Sequence, residues 1–114
     1  MIDAPKRIEF KQYDSIQFVC NMINDDGTRY DLTGVTLFAD IASTAGEVVD
    51  TMQIDITDAA AGMFVLTPNK TAYGVGKYSV EVLIQCSDGV YKSSDNTFDF
   101  YIKRAITAPR PLKR

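Results

Sequence analysis

The chain has 114 residues, 46% of them hydrophobic and 24% charged, with a formal net charge of −3, a composition that excludes a disordered or fibrous chain and fits one ordinary globular domain. No apolar run approaches the roughly 18 residues of a membrane helix, and the polar opening Met1-Ile2-Asp3-Ala4-Pro5-Lys6-Arg7 lacks the apolar stretch of a signal peptide, so the chain is expected to stay inside the cell that makes it or to leave by lysis. With no histidine, it has no Ser-His or Cys-His nucleophilic pair.

Residues 1–5 read as an extension. From Lys6 to Tyr13 the pattern alternates, Ile8 and Phe10 on one face and Glu9 and Lys11 on the other, which is the period of two of a half-buried strand. Ser15 to Ile23 repeats it with Ile16, Phe18, Cys20 and Met22 inward, and Asn24-Asp25-Asp26-Gly27-Thr28 closes it with Asp-Gly turn chemistry. After Asp31-Leu32-Thr33-Gly34, Val35, Leu37, Ala39 and Ile41 share the face of a third strand. Ser43 to Glu47 reverses the chain into Val48 to Ile56. Thr57 to Gly62 is a turn despite its alanines, Met63 to Thr67 is a strand ended by Pro68, and Asn69 to Tyr73 is expected to make one helical turn closed by Gly74. Gly76 to Cys86 is the central strand, with Tyr78, Val80, Val82, Ile84 and Cys86 on one face and Leu83 the one apolar residue on the other. Ser87-Asp88-Gly89 turns into a last strand from Val90 to Arg104, polar on both faces over Lys92 to Thr97 and therefore bulged or at an edge there.

About seven short strands, with turns every eight to twelve residues, specify an all-β antiparallel two-sheet sandwich of immunoglobulin (Ig) type, with a small barrel as the competitor. Ile8, Phe10, Ile16, Phe18, Val35, Leu37, Ile41, Ile54, Phe64, Leu66, Tyr78, Val80, Val82, Phe98 and Phe100 are its expected core. At ~1.5–3 kcal/mol per large buried side chain, no disulfide is needed. Gly76 before Tyr78 fits the tyrosine corner of such folds. Cys20 and Cys86 both face inward, but Cys86 follows Tyr78 by eight residues where the antibody pattern has two, so the pair reads as two small buried residues.

The series Asp31-Leu32-Thr33-Gly34-Val35-Thr36, Ile56-Thr57-Asp58-Ala59-Ala60-Ala61-Gly62-Met63-Phe64 and Gly76-Lys77-Tyr78-Ser79-Val80-Glu81-Val82 resembles the amino-terminal domain of baseplate upper proteins of phages of Gram-positive hosts, and related Ig-like modules of phage tails and fibres. The resemblance spans residues 8 to 103. It implies a virion structural module that anchors a fibre or receptor-binding part. Such domains usually precede a longer part, whereas this sequence stops after residues 105–114, which favours an adaptor or decoration role. The motifs themselves are turn and strand motifs, and fold maintenance is their expected work.

No catalytic residue, cofactor or metal is expected. Asp25, Asp26, Asp58 and Asp88 stand in turns that account for them, and their spacing fits no EF-hand. Charge supplies the functional signal. Residues 12–102 carry 13 acidic and four basic side chains, whereas residues 103–114 carry five basic and no acidic ones. The tail, with Pro109 and Pro111 against helix formation, reads either as a solvated, disordered terminus or as an arm that docks on an acidic, partly apolar surface of another copy or of a larger virion protein, through Lys103, Arg104, Ile106, Arg110, Leu112, Lys113 and Arg114. Nucleic acid and membrane are not expected partners. The expected function is thus a non-enzymatic phage structural protein of baseplate, tail or fibre, homo-oligomeric in the virion and assembled in the host cytoplasm. The alternatives are a capsid-surface decoration or head-fibre protein, and a carbohydrate-binding module stacking sugar on Tyr91 and Tyr101.

Overall fold

The alternating pattern is realised almost wholly as strand in the computed structural model, which describes residues 2–3, 8–70, 73–93 and 98–107. In chain order the strands are β1 (Ile2–Asp3), β2 (Ile8–Lys11), β3 (Phe18–Met22), β4 (Thr36–Ser43), β5 (Val48–Asp58), β6 (Met63–Pro68), β7 (Gly76–Gln85), β8 (Tyr91–Ser93) and β9 (Phe98–Lys103). One sheet runs β1-β3-β6-β5. The other runs β5-β4-β7-β9-β2, with β8 also on β7. All pairings are antiparallel except β2 with β9. The fold is an Ig-like sandwich, as the turn spacing predicts.

Strand β5 belongs to both sheets. Its start pairs with β4, Ala42 opposite Val48 and Ile41 opposite Asp50, across a register shift. Its second half pairs with β6 from Met52–Pro68 onward, with a second shift near Asp58. Bulges of this kind turn a strand enough to change sheets. The crossing point is held from the side by the β6–β7 connection: Asn69 donates its amide to the Thr51 carbonyl (2.8 Å), and the Lys70 N–H and the Tyr73 hydroxyl both donate to Asp50. Of the helical turn expected from Asn69 to Tyr73, Asn69, Lys70 and Tyr73 are not helical and make these bonds instead; residues 71 and 72 lie outside the described residues.

The corner is completed by Tyr78, whose hydroxyl donates to the Gly74 carbonyl at 2.8 Å, the bond expected of a tyrosine corner. Its ring stacks on Phe100 with centroids 5.3 Å apart, and Tyr73 meets both rings edge-on. The core otherwise follows the predicted inward faces, with Phe18, Leu37, Ile41, Phe64, Leu66, Val80, Val82, Phe98 and Phe100 buried and Ile8, Phe10, Ile16, Val35, Ile54 and Tyr78 packed against them. Both thiols are free. Val80 occupies the place two residues after Tyr78 where antibody domains carry their cysteine, and it is buried.

At the other end, two of the sequence motifs meet. Leu32, fully buried, donates its N–H to the Ala59 carbonyl at 2.8 Å, while Met22 donates to the Gly62 carbonyl and Tyr30 to the Met22 carbonyl. Gly62 sits at φ +73°, and a Cβ there would lie 2.5 Å from the Met22 oxygen and 2.7 Å from that of Tyr30. Only glycine fits. Asp31 accepts from the N–H and hydroxyl of Thr33, an Asx turn that leads into β4.

Two boundaries differ from the sequence reading. Ile2–Asp3 pair with Met22 and Asn21, so a strand forms in what reads as an extension. The last strand is divided: β8 pairs with the far end of β7 and β9 with its start. Residues 94–97, within its polar half, lie outside the described residues.

Candidate interaction surface

The root of the basic arm is built onto the domain. Lys103 bridges Glu9 at 2.7 Å, Gln12 donates its N–H to the Lys103 carbonyl, and Ala105 donates to the Gln12 side-chain oxygen at 3.2 Å. The parallel β2–β9 pairing makes this possible, because it brings both strands to the same end together. Arg104 is exposed. Ile106 is 100% exposed beside a concavity of about 370 Å³ lined by Lys11, Tyr13, Asp14, Ala105, Ile106 and Thr107. Of the arm residues singled out from sequence, Arg110, Leu112, Lys113 and Arg114 lie outside the described residues.

Tyr91 and Tyr101 both sit on the sheet containing β7, but at its two ends. Tyr101 is level with Lys77 and Tyr91 with Gln85, eight residues apart on β7, or about 26 Å at the rise of a strand. They do not form one stacking platform for a sugar. Tyr101 is half-buried, whereas Tyr91 is exposed.

Between them lies a surface the residue-by-residue reading missed. The β4–β7 register sets Asp40 opposite Glu81, Phe38 opposite Leu83 and Thr36 opposite Gln85, all on the outward face because Ala39, Ile41, Val80 and Val82 point in. Opposed residues on adjacent antiparallel strands have Cβ atoms about 4.5–5.5 Å apart, and like charges so placed repel. Neither carboxylate has a cationic partner among the described residues, where Lys77 pairs with Asp99 and Lys103 with Glu9. Phe38 is 45% exposed, and Val48, opposite Ala42, is 62% exposed. Asp40, Ala42, Val48, Ser79, Val80 and Glu81 line a shallow depression of about 210 Å³. Alternation alone shows that Asp40 and Glu81 point outward; that they are neighbours depends on register.

The turn carboxylates act on their own backbones. Asp26 accepts from the hydroxyl and N–H of Thr28, Asp88 from the Val90 N–H and Asp58 from the Ala61 N–H. The Thr28 and Thr33 donors hold Asp26 and Asp31 below the usual carboxylate range. Among the described residues no three Cys, Asp or Glu side chains gather as a metal site.

No protein-family model matches the sequence, and no curated protein matches it. Solved structures do. CopC from Methylosinus trichosporium OB3b superposes with a TM-score of 0.57 at 15% identity, covering 94% of this chain and 95% of CopC. Murine CRIg gives 0.51 at 10% identity, covering 90% and 97%. PcoC, a copper resistance protein from Escherichia coli, gives 0.49 at 12% identity, covering 86% and 90%. For CopC and CRIg, at these identities, the shared feature is the fold alone.

Proposed function

We propose that the chain is a non-enzymatic structural protein of a phage particle, an Ig-like attachment module of baseplate, tail or fibre that works by binding neighbouring proteins. The observation that carries the reading is the arm root: Lys103 and Ala105 are tied to β2 and its flank, and the next residue, Ile106, is held fully in solvent. A lone exposed apolar side chain is ordinary on a protein surface; what sets Ile106 apart is its place in a run of five cations without an acidic residue, residues 103–114, which suits an acidic, partly apolar partner. The motif series at residues 31–36, 56–64 and 76–82 supports the virion setting, and the sandwich fits it. Capsid decoration is the same module with different neighbours. Sugar binding across the two tyrosines loses support from their separation.

The test is deletion of residues 106–114, which spares Ala105 and its bond to Gln12. Incorporation into purified particles should fall sharply while the melting temperature of the isolated chain is unchanged. Undiminished incorporation would overturn the reading.

A further inference from the structure

We infer that the outward face of β4 and β7, centred on the Asp40–Glu81 row and the adjoining Phe38–Leu83 row, is the seat for the basic C-terminal arm of a second copy of this chain. The inference rests on the reading of the chain as an assembly module and adds where, and on what, the arm docks.

Charge complementarity comes first. The row sets two exposed carboxylates side by side with no described cation to offset them, at a cost that a docked Arg or Lys removes. The surface is also amphipathic in the manner of the arm. Phe38 and Leu83 flank the carboxylates on one side, and Val48 and the 210 Å³ depression flank them on the other, while the arm interleaves Ile106 and Leu112 with Arg110, Lys113 and Arg114. A long cationic side chain lays its methylenes on apolar surface and its head on a carboxylate.

Reach favours a second copy for Arg110, the first of the arm cations past Thr107. Ile102 is level with Gly76, and Glu81 lies five residues farther along β7, about 17 Å away. Because β9 runs opposite to β7, the chain leaving Lys103 moves away from Glu81. Thr107 lies beside Lys11 and Asp14 at that far end, and the three residues from there to Arg110 span at most about 11 Å. The backbone at Arg110 therefore falls short of its own Asp40–Glu81 row, whereas Lys113 and Arg114, six and seven residues past Thr107, have up to about 25 Å of chain, so it is self-association that separates docking on a second copy from folding back.

The test is sedimentation equilibrium of the full chain at low and physiological salt. The expected result is concentration-dependent self-association that weakens with salt. Asp40→Asn with Glu81→Gln should weaken it at least about tenfold, as should Arg110→Ala with Lys113→Ala and Arg114→Ala. Asp55→Asn, on the other sheet, should leave it unchanged. Mixing the face variant with the arm variant should restore a dimer, since one intact arm then meets one intact face. A full chain that stays monomeric, or a mixture that does, overturns the inference. If such a chain still enters particles, the attachment reading stands without it; a chain that self-associates but is absent from particles gives the reverse.

Discussion

The junction around Gly62 and the outward face of β4 and β7 are opposite solutions to the same problem of placing polar groups. At the junction, carbonyls and N–H groups of Met22, Tyr30, Leu32, Ala59 and Gly62 are paired with one another over a buried leucine. On the face, two carboxylates stand opposed, with no cationic partner among the described residues, beside exposed Phe38. The first arrangement stabilises this chain alone. The second gives up stability that a partner can return.

The largest expected effect breaks the junction. Gly62→Ala adds a Cβ against two backbone oxygens at positive φ and should cost about 3–5 kcal/mol in urea denaturation; a loss below about 1 kcal/mol would mean that the junction can open without harm. Next comes the corner that holds β5. Tyr73→Phe removes the donor to the half-buried Asp50 and should cost about 1.5–3 kcal/mol, whereas Tyr78→Phe, losing a neutral bond to the Gly74 carbonyl, should cost about 0.5–1.5 kcal/mol. An equal loss from both would deny Asp50 its part in the sheet crossing.

Alkaline pH gives a smaller, signed effect. Burial pushes the Cys20 thiol from 9.0 up to about 12. The unfolded thiol then ionises before the folded one, so stability is fully present below pH 9 and declines as pH rises toward about 12. Burial and the Asp50 carboxylate also push the Tyr73 phenol up, which adds to the decline above its ordinary 10. Cys20→Ala should flatten the pH 9–12 slope of the urea midpoint; an unaltered slope would assign it elsewhere.

The smallest effect has the opposite sign. Asp40→Asn with Glu81→Gln relieves a like-charge row and should raise stability by about 0.2–1 kcal/mol while weakening self-association. A change that lowers both would make the carboxylates part of the domain's own support.

Much of this was legible in residue order. Alternation identified the inward faces of β3, β4, β7 and β9, and glycine and aspartate marked the turns, because both signals are local. Tyr78 was legible too, since its partner Gly74 is only four residues away. The Tyr73–Asp50 bond was not, because it spans 23 residues and depends on β5 crossing between sheets. Likewise the acidic row requires the β4–β7 register, which couples residues 41 apart. Charge asymmetry picks out residues 103–114, but only the parallel β2–β9 pairing shows how residues 103–105 are fixed.

The most direct test of the proposed attachment role is cryo-electron microscopy of purified phage particles assembled in the presence of the chain. The account predicts the sandwich at the tail, baseplate or fibre, with residues 106–114 of one copy lying along β4 and β7 of the next. Particles that lack the chain would contradict it.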